Sequence, residues 1–106
     1  METYTPDSWT VLRLSGKRTV TRILSTWNSS LTSAPEWRLN SGIESVEEYE
    51  DHFVFTGYSG STIIAYKDRR GRTRLMNQLI EYWKQHSIAI TIEEVCGSIP
   101  DIVKTL

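Results

Sequence analysis

Hydrophobic and polar residues alternate with a period of two over much of the first two thirds of the chain. Segments rich in β-branched and aromatic residues are predicted to be strands, because such residues favour a pleated, half-buried backbone. The predicted strands are residues 8–14, 18–27, 36–40, 43–50, 52–58 and 61–66. Short turns that contain Gly or Ser separate several of them, so we expect neighbouring strands to pair as hairpins in one small antiparallel sheet of five to six strands.

Two segments in this region depart from the alternation. In residues 18–27 apolar side chains stand at both odd and even positions, so the period does not identify one buried face. Residues 28–35 are small and polar and end at Pro35. This composition predicts a loop that connects two strands.

After residue 72 the period of the pattern changes to that of a helix. The apolar residues that recur at helical spacing are Leu75, Met76, Leu79, Ile80 and Trp83. Thr73 precedes them and can cap the first turn. Because such an apolar stripe must be buried, we expect one amphipathic helix packed on one face of the sheet.

The C-terminal tail, residues 87–106, leaves two alternatives open. Residues 87–92 alternate strictly and could add an edge strand. Thr91 and Glu94 stand at capping-box spacing, which favours instead a short helix that ends at Gly97. In either case the prediction is an α+β domain with a short C-terminal tail element.

Composition places this fold in one small domain. The chain has 106 residues, of which 39% are hydrophobic and 24% charged, as in an ordinary globular protein. No apolar stretch approaches the roughly 20 residues that span a bilayer, and the first residues lack the pattern of a signal peptide. The single cysteine, Cys96, cannot form an internal disulfide, which favours a reducing compartment. We therefore expect a single domain over residues 1–106 in the cytoplasm.

The charges balance overall but are segregated along the chain. The protein has 12 basic and 13 acidic side chains, and its formal net charge is −1. An acidic segment, residues 44–51, contains Glu44, Glu47, Glu48, Glu50 and Asp51, and a basic segment, residues 67–74, contains Lys67, Arg69, Arg70, Arg72 and Arg74. Most such runs are solvated faces, although either one could recognise an oppositely charged partner.

The side chains that most often carry catalysis are scattered. His52, His86 and Cys96 stand singly, without the spacing of metal ligands. The carboxylates of the acidic segment lie on a predicted strand and bend, where solvent would keep their pKa values ordinary. Neither a phosphate-binding P-loop nor a dinucleotide-binding glycine motif occurs. We expect no catalytic residues, no metal and no cofactor, and therefore a protein that is not an enzyme.

Residues suited to binding an anionic ligand are easier to find. With four Trp and five Tyr, the chain could expose some aromatic rings for stacking, although an aromatic side chain is more often part of the core. Small-residue turns can present backbone amides to an anion, and arginine is a planar donor suited to phosphate. The candidate binding residues are Trp9, Trp37 and Tyr58 for stacking, Arg38, Arg69 and Arg70 for phosphate, and Asn40, Ser41, Ser59, Gly60 and Ser61 in the turns.

Three motifs follow one another in a specific order. They are the segment 4–7 leading to Trp9, the WRLNSG turn at residues 37–42, and the GYSGS loop at residues 57–61. The surrounding segments, residues 4–14, 36–43 and 52–66, resemble a family of small uncharacterised proteins encoded by large contractile-tailed bacteriophages. The resemblance covers about the first two thirds of the chain. It implies a phage protein in the host cytoplasm with an accessory role, such as counter-defence or host takeover, and it implies no active site.

Two functions from different classes remain open at this point. The first is a non-enzymatic protein that binds and sequesters a small anionic ligand, such as a cyclic oligonucleotide immune signal, in a symmetric homo-oligomer. The second is an inhibitor that binds a host or defence enzyme through the acidic segment. The near-neutral charge disfavours direct binding to nucleic acid.

Overall fold

The computed structural model describes residues 2–27, 36–87 and 89–103, so the loop predicted at residues 28–35 lies outside the described part of the chain. In chain order the elements are β1 (Thr3–Tyr4), β2 (Ser8–Ser15), β3 (Thr19–Trp27), β4 (Glu36–Leu39), β5 (Ile43–Glu48), β6 (His52–Gly57), β7 (Thr62–Tyr66), a 3-10 turn (Lys67–Arg69), α1 (Arg74–His86), β8 (Thr91–Glu94) and α2 (Ile99–Val103). The predicted α+β class with one main helix is confirmed. None of the helices in these ranges is long and apolar enough to cross a membrane.

The strands form two sheets of four strands each rather than one sheet of five to six. Sheet A has the order β1-β7-β6-β5, and sheet B has the order β4-β3-β2-β8. All neighbours run antiparallel except β1 and β7, which pair in parallel. The single-sheet prediction was wrong because the turn at Ser41 and Gly42 does not close a hairpin. It passes the chain from β4 in sheet B to β5 in sheet A.

The main core lies between the inner faces of the two sheets. Its buried members are Trp9, Val11 and Ile23 from sheet B, Ile43, Phe53, Phe55, Ile63 and Ala65 from sheet A, and Val95 and Ile99 from the C-terminal tail. Trp9 is completely buried, with ring centroids 6.0 Å from Phe53 and 5.8 Å from Phe55. Its indole N–H donates a hydrogen bond to the carbonyl of Tyr66 at 2.7 Å.

A second core lies between the outer face of sheet B and helix α1. Its buried members are Leu12, Leu24, Met76, Ile80 and Ile92. The hydroxyl of Thr73 accepts a hydrogen bond from the amide of Met76 at 3.3 Å, which confirms the predicted cap. Strand β3 therefore has sheet A on one side and the helix on the other. This double burial explains why residues 18–27 show no hydrophobic period.

The tail returns to sheet B and then forms a short helix. β8 (Thr91–Glu94) pairs antiparallel with β2 at the edge of sheet B, and it overlaps the predicted edge strand of residues 87–92 only at residues 91–92. A helix beginning after Thr91 is excluded, because Thr91 and Glu94 are both in the strand. The helix α2 starts only at Ile99, whose side chain is buried in the main core.

Candidate functional site

A groove of about 440 Å³ lies where three turns of the chain meet. We call it the main groove, and it is lined by Arg18, Thr19, Val20, Thr21, Ser41, Ile43 and Tyr58. Residues 18–21 come from the turn between β2 and β3 and from the start of β3 in sheet B. Ile43 and Tyr58 belong to β5 and to the turn after β6 in sheet A. The groove therefore opens at one end of the sandwich, between the two sheets.

The main groove is shaped by the close approach of Tyr58 to Gly42. Gly42 has a φ of +136°, which L side chains rarely adopt, and a Cβ at this position would stand 2.8 Å from the Tyr58 ring. The amide of Tyr58 donates to the carbonyl of Gly42 at 3.1 Å, and the amide of Ser59 donates to the Ser41 hydroxyl at 3.1 Å. The WRLNSG turn and the GYSGS loop, which were predicted separately, are thus held against each other.

Asn40 fixes this turn through both ends of its side-chain amide. Its side-chain carbonyl accepts from the amide of Ile23 at 2.8 Å, and its side-chain amide donates to the carbonyl of Gly42 at 3.3 Å. The residue is buried. Because both ends of the amide are engaged inside the fold, Asn40 anchors the crossing between the sheets. Asn40, which the sequence suggests as a ligand contact, is not among the described residues that line the main groove.

The backbone amides of the GYSGS loop are also engaged within the protein. Besides the amides of Tyr58 and Ser59, the amide of Gly57 donates to the carbonyl of Ser61 at 2.8 Å, and that of Gly60 donates to the carbonyl of Gly57 at 3.0 Å. Four consecutive amides, residues 57–60, therefore have internal acceptors. The expectation that amides from this loop cradle an anion does not agree with this geometry, because a hydrogen-bonded turn directs them inward.

The main groove combines a cation, hydroxyl groups and an aromatic ring. Arg18 is exposed at its rim, and Tyr58 presents 64% of its surface to solvent. Exposed hydroxyls come from Thr19 and Ser41, whereas the hydroxyl of Thr21 is buried. No carboxylate is among the groove-lining residues of the described chain. Hydrogen-bond donors around one positive charge favour the binding of an anionic group. The exposed ring of Tyr58 can stack on a planar group of the same ligand.

Sequence reasoning missed the contribution of β3 to this groove. Arg18, Thr19 and Thr21 all belong to the predicted strand 18–27, whose buried face the pattern does not define. Their place beside Ser41 and Tyr58 depends on how the two sheets meet. The signal in the sequence that could have indicated a cation here is the adjacent pair Lys17 and Arg18, at the junction of the predicted turn and strand.

Trp37 and Arg38 line a different hollow of about 260 Å³, together with Tyr4 and Glu2. Arg38 forms an ion pair with Glu2, and its guanidinium lies 4.9 Å from the centroid of the Tyr4 ring. Trp37 is 46% exposed and contacts Trp83 edge-on, with 5.5 Å between ring centroids. This hollow and the main groove share no lining residue among those described. The predicted pair of Trp37 and Arg38 is therefore separated from Ser41 and Tyr58.

The remaining predicted residues serve the fold or face solvent elsewhere. Trp9 has no exposed ring face, so it cannot stack on a ligand. Arg70 donates to the carbonyl of Val95 at 2.6 Å and to that of Gly97 at 3.2 Å, and its guanidinium lies 5.7 Å from the Trp9 ring centroid. Arg69 is exposed over the ring of Tyr66, at 5.2 Å. The basic segment thus does not act as one unit.

The acidic segment lies along β5, which is an edge strand of sheet A. Its carboxylates at Glu44, Glu47, Glu48, Glu50 and Asp51 are all exposed. Lys67 bonds to Glu48 at 2.7 Å, which ties the segment to the 3-10 turn. At the bend, the ring nitrogen Nδ1 of His52 lies 2.6 Å from Asp51, and this hydrogen bond lowers the pKa of the Asp51 carboxyl from its usual value.

The described residues contain no group of three or more His, Cys, Asp or Glu side chains arranged to hold a metal ion. Comparisons of the chain with protein-family models, with curated proteins and with solved structures return no match. Function therefore has to be inferred from the geometry of this molecule and from the chemistry of its surface.

Proposed function

We propose that the protein binds a small anionic molecule with a planar ring in the main groove and acts without catalysis. The observation that carries this proposal is the composition of the groove, where Arg18, two exposed hydroxyl-bearing side chains and the exposed ring of Tyr58 meet. Arg18 and the hydroxyls bind the anionic group, and Tyr58 stacks on the ring. The volume of the main groove, about 440 Å³, lies in the range of small-molecule sites.

Nucleotides are the ligand class that fits these contacts best. They combine a phosphate, hydroxyl groups and a planar base in one molecule. The resemblance to phage accessory proteins supports a cyclic oligonucleotide immune signal as the ligand, and counter-defence by sequestration in the host cytoplasm as the role. A second copy of the chain placed over the open groove would enclose such a ligand, so the proposed assembly is a homo-oligomer.

Calorimetric titration with a panel of cyclic mono-, di- and trinucleotides tests this proposal. We expect Arg18→Ala and Tyr58→Ala each to weaken binding at least about tenfold, by the loss of a charge-assisted contact or of a stacked ring. Lys84→Ala is the matched control, because this exposed cation lies on helix α1 and is not among the groove-lining residues.

Recovery of the ligand after denaturation separates sequestration from turnover. An intact ligand after prolonged incubation supports the proposal, and a converted ligand contradicts it. Light scattering with and without ligand gives the number of copies in the complex.

The exposed acidic segment favours a second candidate function, which is binding to a basic surface of another protein. Five carboxylates on and beside one edge strand, all exposed, form a surface that could mimic the charge of nucleic acid. The test is salt-dependent binding to a nucleic-acid-binding defence enzyme, measured for the wild type and for a triple variant with Glu44, Glu47 and Glu50 changed to Gln. Equal binding of the two proteins contradicts this alternative.

A further inference from the structure

The other flank of the β2–β3 hairpin has a second hollow, of about 170 Å³. We call it the hairpin hollow. Its cationic lining is Lys17, Arg18 and Arg22, and its apolar lining is Leu14, Val20 and Ile90. Arg18 and Val20 also line the main groove. The hairpin hollow and the main groove are therefore neighbours, and the start of β3 lies between them.

The charges of the hairpin hollow are not balanced locally. Three cations line it, and no carboxylate is among its described lining residues. Arg22 donates only a long hydrogen bond, 3.4 Å, to the carbonyl of Asn40, and its buried Nε has no hydrogen-bond partner among the described residues. Three cations around one hollow without a carboxylate in its described lining favour an anion placed among them.

The hairpin turn that carries these cations is held in place by the fold. The amide of Gly16 donates to the carbonyl of Arg18 at 3.0 Å. A Cβ at Gly16 would stand 3.3 Å from the carbonyl oxygen of Ala89 and 3.7 Å from the Ile90 side chain. The turn therefore packs closely on residues 89–90. Lys17 and Arg18 extend from a fixed backbone rather than from a free loop.

We infer that the ligand carries two separated anionic groups, one in the main groove and one in the hairpin hollow, with Arg18 between them. This inference rests on the proposed function and makes it more specific. A cyclic dinucleotide, whose two phosphates lie on opposite sides of one ring, belongs to this ligand class. A cyclic mononucleotide has one phosphate, so it can place an anionic group in the main groove or in the hairpin hollow but not in both.

Calorimetric titrations of the full chain with a cyclic dinucleotide and with the cyclic mononucleotide of the same base test the inference. We expect Lys17→Ala to weaken binding of the dinucleotide about tenfold, through loss of one charge-assisted contact, and to change binding of the mononucleotide less than twofold. Arg18→Ala is expected to weaken both. Lys17 is exposed in a turn, so its replacement leaves the cores intact, and Lys84→Ala is again the control. Arg22→Lys keeps the charge and removes the guanidinium, so we expect a smaller loss, confined to the dinucleotide.

The outcomes separate the inference from the proposed function. If Lys17→Ala weakens both ligands equally or weakens neither, while Arg18→Ala weakens both, the two-anion ligand is excluded and the anion-binding groove remains. Equal affinities of the wild type for the two ligands would also overturn the inference. Failure of both ligands to bind, or binding that Arg18→Ala and Tyr58→Ala leave unchanged, would overturn the proposed function together with the inference.

Discussion

Several polar side chains hold the backbone in place, although their residue type in the sequence predicts contact with a ligand. Arg70 is the clearest case, since its guanidinium bonds to two carbonyls of the tail. Asn40 does the same at the crossing between the sheets. Arginine and asparagine are suited to both tasks, because they carry several donors in a fixed geometry. Residue type alone therefore cannot separate a binding role from an anchoring role.

Replacing Arg70 by Ala is expected to lower the free energy of unfolding by about 1.5–3 kcal/mol, because charge-assisted bonds to the carbonyls of Val95 and Gly97 are lost. Ligand affinity should stay unchanged, since Arg70 does not line the main groove. Urea unfolding followed by tryptophan fluorescence measures the effect. Arg69→Ala, at an exposed neighbour, is expected to change stability by less than about 0.5 kcal/mol. Equal losses for the two variants would contradict the anchoring role of Arg70.

Gly42→Ala is expected to damage both the fold and the site. The positive φ and the contact with the Tyr58 ring should together cost about 1–3 kcal/mol. The displaced ring should also weaken binding of any ligand that stacks on it. Gly71→Ala is the matched control, because a Cβ at Gly71 has no neighbour within 4 Å. A Gly42→Ala protein with wild-type melting temperature and affinity would show that the ring does not depend on this glycine.

The pKa of the Asp51 carboxyl, at the bend between β5 and β6, can be measured directly. The hydrogen bond from His52 lowers the pKa of Asp51 below its ordinary 3.8 in the folded protein. A carboxyl whose pKa is lower in the folded state stabilises the fold above its unfolded-state pKa, and this contribution is lost as the pH falls through the folded-state value. Titration by carbon-13 NMR should give a pKa for Asp51 that rises towards 3.8 in His52→Ala. His86→Ala, on helix α1, should leave it unchanged.

At the scale of elements, what the sequence predicts depends on whether an element has one buried face or two. Helix α1 and strands β6 and β7 each bury one face, so their periods and positions could be predicted. Strand β3 buries both faces, which removes the alternation. Strand β1 has only two residues, too few to show any period. Its parallel pairing with β7 depends on the closure of the sandwich rather than on its own residues.

Truncated side chains in helix α1 test quantitatively how the helix packs against sheet B. Met76 and Ile80 are its buried residues, while Leu79 is only half-buried. We expect Ile80→Ala to cost about 2–5 kcal/mol, as for other truncations in well-packed cores. Tyr82→Ala, on the exposed side of the same helix, should cost less than about 0.5 kcal/mol. Chemical denaturation of the two variants compares them directly, and similar costs would show that the helix does not bury the expected face.

At the scale of the whole molecule, the candidate site is the part that sequence reasoning predicted least well. Ser41 and Tyr58 were selected, but Arg18 and Thr21 were not, because their proximity is created by the crossing from sheet B to sheet A. Trp37, Arg38 and Arg69 were grouped with them by chemistry and lie elsewhere. Local motifs identify residues that can bind, while the arrangement of the two sheets decides which of them can bind the same molecule.

The position of the main groove across the junction of the two sheets links ligand affinity to cooperative unfolding. A molecule held by Thr19 of β3 in sheet B and by Tyr58 beside sheet A acts as a non-covalent cross-link, so the sheets cannot separate without releasing it. At a concentration one hundred times Kd, it should add about 2.7 kcal/mol to the free energy of unfolding. Hydrogen–deuterium exchange should then slow in β3 and β6 together, although the ligand touches only their ends. Protection confined to one sheet would mean that the ligand does not bridge them.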